Sequence, residues 1–217
     1  MNYANFLKTT LVAMLALFTT LLQAETFREG VDYELLQQPG KVDVPGKIEV
    51  REFFSFSCPH CFHLESFTSE WKPKQAEDVN FVMTPAAMRK DWEPLAHAYY
   101  VAEALGKLDT IKPELFDAIH VKKRQVFTQP EIAGFFKGYG VSEDDFNKLY
   151  NSFSVRVKVR QATALAKTYR LRGVPAVVVN AKYLVKTQSG KTFADMLEVV
   201  DFLVAKERAA SKVASSE

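Results

Sequence analysis

The sequence KIEVREFFSFSCPHC, at Lys47–Cys61, joins an apolar segment directly to a pair of cysteines. Its first part, Lys47–Phe56, is rich in β-branched and aromatic residues and predicts a strand. Pro59 suits the first position of a helix, because its fixed φ fits there and its missing N–H is not needed. The spacing predicts that this helix runs over Pro59–Trp71 and that a second strand follows at Val79–Met83. Strand, helix, strand indicates a parallel pair with a crossover.

The rest of the chain predicts helices first and then a hairpin. Residues 91–171 have helical spacing, and Thr128 with Glu131 has the spacing of a capping box, as Ser142 with Asp145 has more weakly. Further predictions are strands at Ala176–Val179 and Lys182–Val185, joined by an Asn-Ala turn, a helix at Thr192–Glu207 and a frayed end at Ala209–Glu217. We therefore expect one α/β domain whose sheet is interrupted by roughly 80 residues of helical insertion.

Composition places the chain among ordinary globular proteins. It has 217 residues, 47% of them hydrophobic, and 28 basic residues against 26 acidic ones. With a formal charge of only +2, the chain has no strongly positive potential that would attract a polyphosphate, so nucleic-acid binding is not expected. The two cysteines are three positions apart, which excludes a long-range disulfide.

The first 24 residues have the pattern of a secretory signal peptide. A short polar start with one cation is followed by the apolar run Thr9–Leu22, and Ala24 is a small residue at the expected cleavage site. A membrane-spanning helix needs about 20 apolar residues, and this run is shorter. An uncleaved anchor or a buried helix is the alternative. Export implies an oxidising compartment, where cysteines need not stay reduced.

Cys58 occupies the predicted N-cap position of the helix that Pro59 begins. Its sulfur is expected to accept hydrogen bonds from the N–H groups of His60 and Cys61, and a cationic His60 adds a favourable charge. These effects favour the thiolate over the thiol. Because whatever stabilises the reduced pair makes the disulfide a stronger oxidant, the pattern indicates a redox site.

Other uses of the two cysteines fit less well. As a structural staple, the four-residue loop would contribute only about 2 kcal/mol. A zinc site needs two more ligands, which would have to come from histidines or carboxylates. Covalent haem attachment requires a histidine after the second cysteine, and Phe62 stands there. Redox chemistry remains the favoured interpretation, and no metal site is expected.

Glu52 lies in an otherwise apolar row of the first strand. The row that shares one face consists of Ile48, Val50, Glu52 and Phe54. A buried carboxyl has a raised pKa and can pass a proton near neutral pH. We predict that Glu52 exchanges protons with the Cys61 sulfur, with pairing to a cation on the Arg51 side of the sheet, or contact with water, as the alternatives. The phenylalanines 53, 54 and 56 are predicted to be core residues.

Val174-Pro175 stands directly before the predicted strand Ala176–Val179. An X-Pro bond is cis in only about 5–6% of cases, so frequency alone predicts an ordinary trans turn.

Two motifs together, EFFSFSCPHC at residues 52–61 and LRGVPA at residues 171–176, closely resemble the DsbA family of exported thiol:disulfide oxidoreductases of Gram-negative bacteria. The resemblance implies a thioredoxin-like fold with an inserted all-helical domain. It implies that Cys58 is the exposed nucleophile, Cys61 its buried partner and Glu52 a proton acceptor. It also implies that Pro175 is cis and that the Val174 backbone pairs with an extended substrate. This family is itself a reference example of a lowered thiol pKa and an oxidising couple, so the same direction is expected here.

The resemblance also implies a domain division and a set of partners. The signal peptide at residues 1–24 would be followed by a thioredoxin-like part at residues 25–84, the helical insertion at 85–164 and a second thioredoxin-like part at 165–217. The implied function is donation of the Cys58–Cys61 disulfide to unfolded exported proteins with free thiols. Reoxidation by a DsbB-type, quinone-linked inner-membrane oxidase, a periplasmic location, a monomeric state and no cofactor beyond the disulfide are expected.

Two other functions remain open from the sequence. One is a periplasmic isomerase or reductase of the same fold, and the other is a non-enzymatic metal-carrying or polypeptide-binding protein. One departure concerns the proton relay, because some relatives carry a lysine in the strand that matches Val79–Met83 and this chain does not. The relay would then run through water alone, or Glu52 would lie in a less charged setting.

Overall fold

The computed structural model of the chain describes residues 27–187 and 190–214. The predicted signal peptide, residues 1–24, lies outside these ranges. Within them the chain forms five strands and seven α-helices. In chain order they are β1 (Glu34–Leu35), β2 (Ile48–Phe54), α1 (Pro59–Trp71), β3 (Val79–Pro85), α2 (Glu93–Ala104), α3 (Leu108–His120), α4 (Gln129–Lys137), α5 (Glu143–Tyr150), α6 (Phe153–Thr168), β4 (Ala176–Val179), β5 (Tyr183–Lys186) and α7 (Phe193–Ala214).

The strands form one mixed sheet in the order β1-β5-β4-β2-β3. β2 and β3 are parallel and are joined through α1, which confirms the predicted crossover. β4 is antiparallel to both β2 and β5. All seven residues of β2 are buried, because the strand has a neighbour on each side and helices against its faces. The two-residue strand β1 was not predicted, since so short an element has no measurable alternation.

The hairpin between β4 and β5 is confirmed, although its turn residues are not the usual ones. Asn180 and Ala181 have φ angles of 50° and 52°, the left-handed region that favours Asn and Gly. The N–H of Lys182 donates to the Val179 carbonyl at 3.0 Å and closes the turn. Ala181 is buried in the core cluster that also contains Phe53 and Tyr169.

The insertion comprises α2 to α6, and its predicted caps are present. Thr128 and Glu131 form the capping box at the start of α4, and the N–H of Asp145 donates to Ser142 Oγ at 3.1 Å at the start of α5. The last of these helices, α6, continues to Thr168, so the predicted boundary after residue 164 falls inside a helix. The predicted domain division itself stays a prediction.

The C-terminal helix is longer than predicted. α7 continues to Ala214, whereas the apolar spacing indicated an end near Glu207 and frayed residues from Ala209. Arg208 explains part of the extension, because its guanidinium donates to both carboxylate oxygens of Asp78, at 2.8 Å for one of the two contacts. The residues after Glu207 have no apolar face, so the sequence alone did not predict this tertiary contact.

The largest core cluster joins the end of β2 and the cysteines to the helical insertion. Phe54 and Phe56 pack edge to face at 5.2 Å between ring centroids, and Phe116 of α3 lies 4.8 Å from Phe56. Phe53 points to the opposite face of the sheet and packs against Tyr169. The prediction that these three phenylalanines are core residues is confirmed, and the cysteine turn rests directly on the core that both parts share.

Candidate active site

The cysteine turn lies between the end of β2 and the start of α1. Cys58 is the N-cap residue, with extended backbone angles of −92° and 115°, and Pro59 begins the helix as predicted. The turn is fixed locally, since the Cys58 N–H donates to the Ser55 carbonyl at 3.1 Å and the Ser57 N–H donates to Ser55 Oγ at 3.2 Å. The first sulfur is therefore held at the N-terminus of a 13-residue helix.

Cys58 has an environment that favours its thiolate. Both cysteines are free thiols, and the Cys58 thiol donates to the Val174 carbonyl at 3.4 Å. The pKa of Cys58 is lowered to about 6 by the hydrogen bond with the Cys61 thiol, the backbone N–H groups of Cys61 and His60 and the charge of His60, against the opposing effect of burial.

One sequence-based expectation for Cys58 needs correction. The N–H groups of His60 and Cys61 favour the thiolate as predicted, although the neutral thiol donates to the Val174 carbonyl and makes no capping hydrogen bond. The residue is 7% exposed, so the sulfur is less accessible than the resemblance implied. It remains the more accessible of the pair, since Cys61 has no exposed surface.

The environment of Cys61 raises the pKa of its thiol, whereas that of Cys58 lowers it. Burial strongly raises the pKa of Cys61, and the neighbouring Cys58 and the negative charge of Glu52 raise it further. One sulfur therefore favours the anion and the other favours the thiol, although they belong to the same four-residue turn.

The loop before β4 brings Val174 and Pro175 beside Cys58. The Val174-Pro175 peptide bond is cis, so the trans geometry predicted from frequency is wrong and the resemblance indicated the correct isomer. Val174 lies outside the strands and is half-buried, and its carbonyl is the acceptor for the Cys58 thiol. The two segments singled out in the sequence, 116 positions apart, are in contact.

Glu52 is buried beneath the turn, with 1% of its surface exposed. Neither carboxylate oxygen has a hydrogen-bond partner among the described residues. Burial raises the pKa of Glu52 to about 8, the negative charge of Glu65 adds to the rise and the positive charge of Lys112 opposes it. The alternative of a partner on the Arg51 side is wrong, because Arg51 lies on the other face and pairs with Glu49 at 2.8 Å and Asp43 at 2.6 Å.

Lys112 and Glu65 are residues of the site that the sequence did not reveal. The Lys112 ammonium forms an ion pair with the Glu65 carboxylate and lies 3.4 Å from the Met83 sulfur. The expectation of a less charged setting for Glu52 is therefore wrong. Glu65 follows Cys61 by one helical turn, a spacing that could have placed it on the same face. Lys112 belongs to the insertion, and its approach depends on tertiary packing alone.

His120 connects the insertion to the cysteine turn. Its Nε2 lies 2.7 Å from the Phe56 carbonyl oxygen, and its ring stacks on Phe62 with 5.0 Å between centroids. Burial lowers the pKa of His120, so the neutral ring with a proton on Nε2 serves as the donor. The sequence indicated a surface or satisfied core histidine, and the structure shows the satisfied, half-buried case.

This geometry agrees with what comparisons with known proteins find. The chain is 36% identical over 208 residues to the thiol:disulfide interchange protein DsbA of Pseudomonas aeruginosa, a match that covers 96% of this chain and 99% of that protein. The sequence pattern of the DSBA-like thioredoxin domain matches residues 69–198. The chain belongs to the DsbA family. DsbA of Burkholderia cepacia is 37% identical over 201 residues, covering 91% of this chain and 95% of the relative.

Solved DsbA structures have the same fold. The crystal structure of Pseudomonas aeruginosa DsbA superimposes with a TM-score of 0.82 at 36% identity, covering 87% of this chain and 98% of that one. For the Xylella fastidiosa oxidoreductase DsbA the TM-score is 0.78 at 38% identity, with 83% and 97% covered. The predicted fold class, a thioredoxin-like fold with an inserted helical domain, is confirmed.

Membership in the DsbA family makes this chain a thiol:disulfide oxidoreductase whose reactive pair is Cys58 and Cys61. Within residues 27–187 and 190–214, no helix combines the length and apolar character needed to cross a membrane. In the same described part of the chain, no three His, Cys, Asp or Glu side chains form a cluster suited to a metal ion.

Proposed function

We propose that this DsbA-family protein is an oxidant, which donates the Cys58–Cys61 disulfide to unfolded, newly exported polypeptides with free thiols. The contrast between the two sulfurs carries the proposal. Cys58 is at a helix N-terminus with its pKa lowered to about 6, while Cys61 is fully buried and favours the thiol. Because stabilisation of the Cys58 thiolate favours the reduced pair, it makes the disulfide easier to reduce and so more oxidising, while Cys61 stays a thiol.

The reaction proceeds by two exchange steps. A substrate thiolate attacks the Cys58 sulfur, a mixed disulfide forms there, and the bond to Cys61 breaks with its electron pair on the Cys61 sulfur. A second substrate thiolate attacks the substrate sulfur of the mixed disulfide and releases Cys58 as a thiolate. The substrate loses two electrons and gains a disulfide, and the protein gains two electrons as one thiolate and one thiol.

Glu52 supplies the proton that Cys61 needs. The Cys61 sulfur is a poor anion in its buried position, so protonation assists its departure. With a pKa of about 8, the Glu52 carboxyl is mostly protonated at neutral pH and can give this proton, and it can take one back during reoxidation. Because the two side chains share no hydrogen bond in the described structure, we assign the transfer to a bridging water.

Val174 and Pro175 form the substrate-binding edge beside the nucleophile. The Val174 carbonyl is 3.4 Å from the Cys58 sulfur and lies outside the sheet ladder. An extended substrate segment can pair with this backbone and so place its own sulfur next to Cys58. His60 and Pro59 contribute to the site through charge and helix geometry.

Turnover requires that the reduced pair lose two electrons. We assign this step to a DsbB-type, quinone-linked inner-membrane oxidase, and we place the protein in the periplasm as a monomer, exported by its signal peptide. The only redox group required is the disulfide itself, with no separate cofactor.

The test is oxidation of a reduced, unfolded protein by the purified oxidised chain. We expect rapid formation of substrate disulfides, loss of the reaction in Cys58→Ser and an unchanged rate in Glu70→Gln, which changes an exposed residue of α1. A Cys58→Ser variant that oxidises the substrate at the original rate would refute the proposal.

The equilibrium constant with glutathione separates the proposed oxidant from the alternatives. If the protein donates disulfides, we expect its Cys58–Cys61 redox couple to be more oxidising than glutathione. We also expect the pair to be mostly a disulfide in cells. A pair held mostly as dithiols in cells would identify an isomerase or reductase. Stoichiometric zinc or copper together with no redox activity would identify a metal carrier.

A further inference from the structure

Lys112 reaches the redox site from the inserted helices. It lies on α3, and its ammonium forms an ion pair with Glu65 of α1 and contacts the Met83 sulfur of β3 at 3.4 Å. The two side chains of the ion pair are 18% and 17% exposed. This is therefore a partly desolvated pair that joins the insertion to the sheet and to the helix that carries the cysteines, unlike the surface ion pairs that contribute little.

The pair lies next to Glu52. Glu52 and Met83 are register partners in the parallel strands β2 and β3, so their side chains occupy the same face on strands about 5 Å apart. Cys61 and Glu65 are one turn apart on the same face of α1, above that part of the sheet. The Lys112 ammonium is consequently held against Met83, whose side chain is next to the buried Glu52 carboxyl.

The other groups around Glu52 cannot replace this charge. From α2, the Tyr99 hydroxyl donates to the Met83 carbonyl at 3.2 Å, and burial raises the Tyr99 pKa well above its ordinary value, so the phenol stays neutral. From β4, the register partner of Glu52 is Val177. From α7, Asp201 accepts a hydrogen bond from Trp71 at 2.8 Å, at the far end of α1.

We propose that Lys112 is a positioning residue of the redox site, which holds the Glu65 carboxylate and so sets how readily Glu52 gives its proton to Cys61. The inference rests on the proposed relay role of Glu52. It assigns to the insertion the positive charge that the strand Val79–Met83 does not supply. The inserted helices thereby take part in the proton chemistry of cysteines that they do not themselves carry.

Two substitutions should move the ionisation of Glu52 in opposite directions. In Lys112→Met the positive charge is lost and Glu65 stays negative, so the Glu52 pKa rises. In Glu65→Gln the negative charge is lost and the lysine remains, so the Glu52 pKa falls. Each change should amount to about one pH unit or more, as for a single charge near a buried group. A disturbance of packing would not reverse sign between the two variants.

The measurement is infrared titration of the full reduced protein from acid to alkaline pH, with the Glu52 carboxylic acid band assigned by its loss in Glu52→Gln. Lys122→Met is the matched control, because Lys122 follows α3 and pairs with Asp117, away from the cysteines. Its titration should match that of the unchanged protein, and Lys112→Arg should restore the original midpoint.

The outcomes distinguish this inference from the relay on which it rests. If Lys112→Met and Glu65→Gln leave the Glu52 midpoint unchanged, or move it in the same direction, the inference is overturned. If those shifts occur but Glu52→Gln leaves the pH profile of substrate oxidation unchanged, the relay role fails and the electrostatic role of Lys112 stands. Opposite shifts together with matching shifts of the oxidation profile support both.

Discussion

Relative to the parent protein, a reduced protein with Glu52→Gln should gain resistance to unfolding as the pH rises. The pKa of Glu52 is raised from 4.5 to about 8 in the folded chain, chiefly by burial. When an acid has a higher pKa in the folded chain than in the unfolded chain, the folded state is most stable at pH values below the pKa of the unfolded chain. That stability is lost as the pH rises through the pKa of the folded chain. Glutamine has no charge to bury and escapes this loss.

The magnitude follows from the two pKa values. A pKa difference of one unit is equivalent to about 1.36 kcal/mol of unfolding free energy. Compared with a protein that has a permanently neutral residue at position 52, the unchanged protein is therefore less stable by about 1 kcal/mol at pH 5 and by about 3 kcal/mol at pH 7. The amide that Glu52→Gln introduces adds its own desolvation cost, but that cost does not depend on pH. The quantity to compare is therefore the change in the stability difference between the two pH values, about 2 kcal/mol in favour of Glu52→Gln.

Urea unfolding at pH 5, 6 and 7 in a phosphine reductant gives this difference directly. Cys58 also titrates in this range, but it does so in both proteins and cancels from the comparison. Glu70→Gln, an exposed change on α1, should show a difference that stays flat with pH. A flat difference for Glu52→Gln as well would mean that the carboxyl ionises normally in the fold, and the proton relay to Cys61 would lose its physical basis.

Three further predictions concern the neighbours of the site. His60→Leu removes a charge that favours the Cys58 thiolate, so the Cys58 pKa should rise above about 6 and the couple should become less oxidising, as thiolate ultraviolet absorbance and glutathione equilibria will show; an unchanged midpoint would contradict the charge effect. His120→Ala leaves the Phe56 carbonyl without its 2.7 Å donor and should destabilise the protein by about 1–3 kcal/mol in urea unfolding, with wild-type stability as the contrary result. Phe116→Ala should cost about 3–5 kcal/mol by the same assay, because Phe116 is fully buried; a loss below about 1 kcal/mol would mean that this core is loosely packed.

Most of the sheet could be predicted because its signals are local. The alternation in β2, the fixed φ of Pro59 and the apolar run of β4 each identified an element whose bounds agree closely with the structure. Burial of Glu52 followed from the same alternation, since a residue in an apolar row must share the environment of its neighbours. The contact between Val174 and Cys58 could be predicted only from the family resemblance, because nothing local joins positions 116 apart.

The charges around Glu52 could not be predicted for the same reason. Lys112 lies on a helix whose own pattern shows only that one face is apolar, and its contact with Glu65 depends on how α3 packs over α1. The absence of a lysine from Val79–Met83 suggested a less charged setting for Glu52 or a relay through water alone, but a side chain from a distant element can provide the same charge. The hydrogen bond from the Cys58 thiol could not be predicted either, because its acceptor, the Val174 carbonyl, belongs to a loop that is distant in the sequence.

The phenylalanine contacts between the segment that follows β2 and helix α3 limit how this protein can be rebuilt. Phe56 and Phe116 meet at 4.8 Å in a cluster that also contains both cysteines, so the helical region and the sheet share one apolar interior. Chimeras that exchange the helices of one relative for those of another would have to carry matching aromatic residues on both sides of this boundary. Deleting the helices to obtain a minimal catalyst would leave the reactive turn standing on exposed aromatic rings, a surface that favours aggregation.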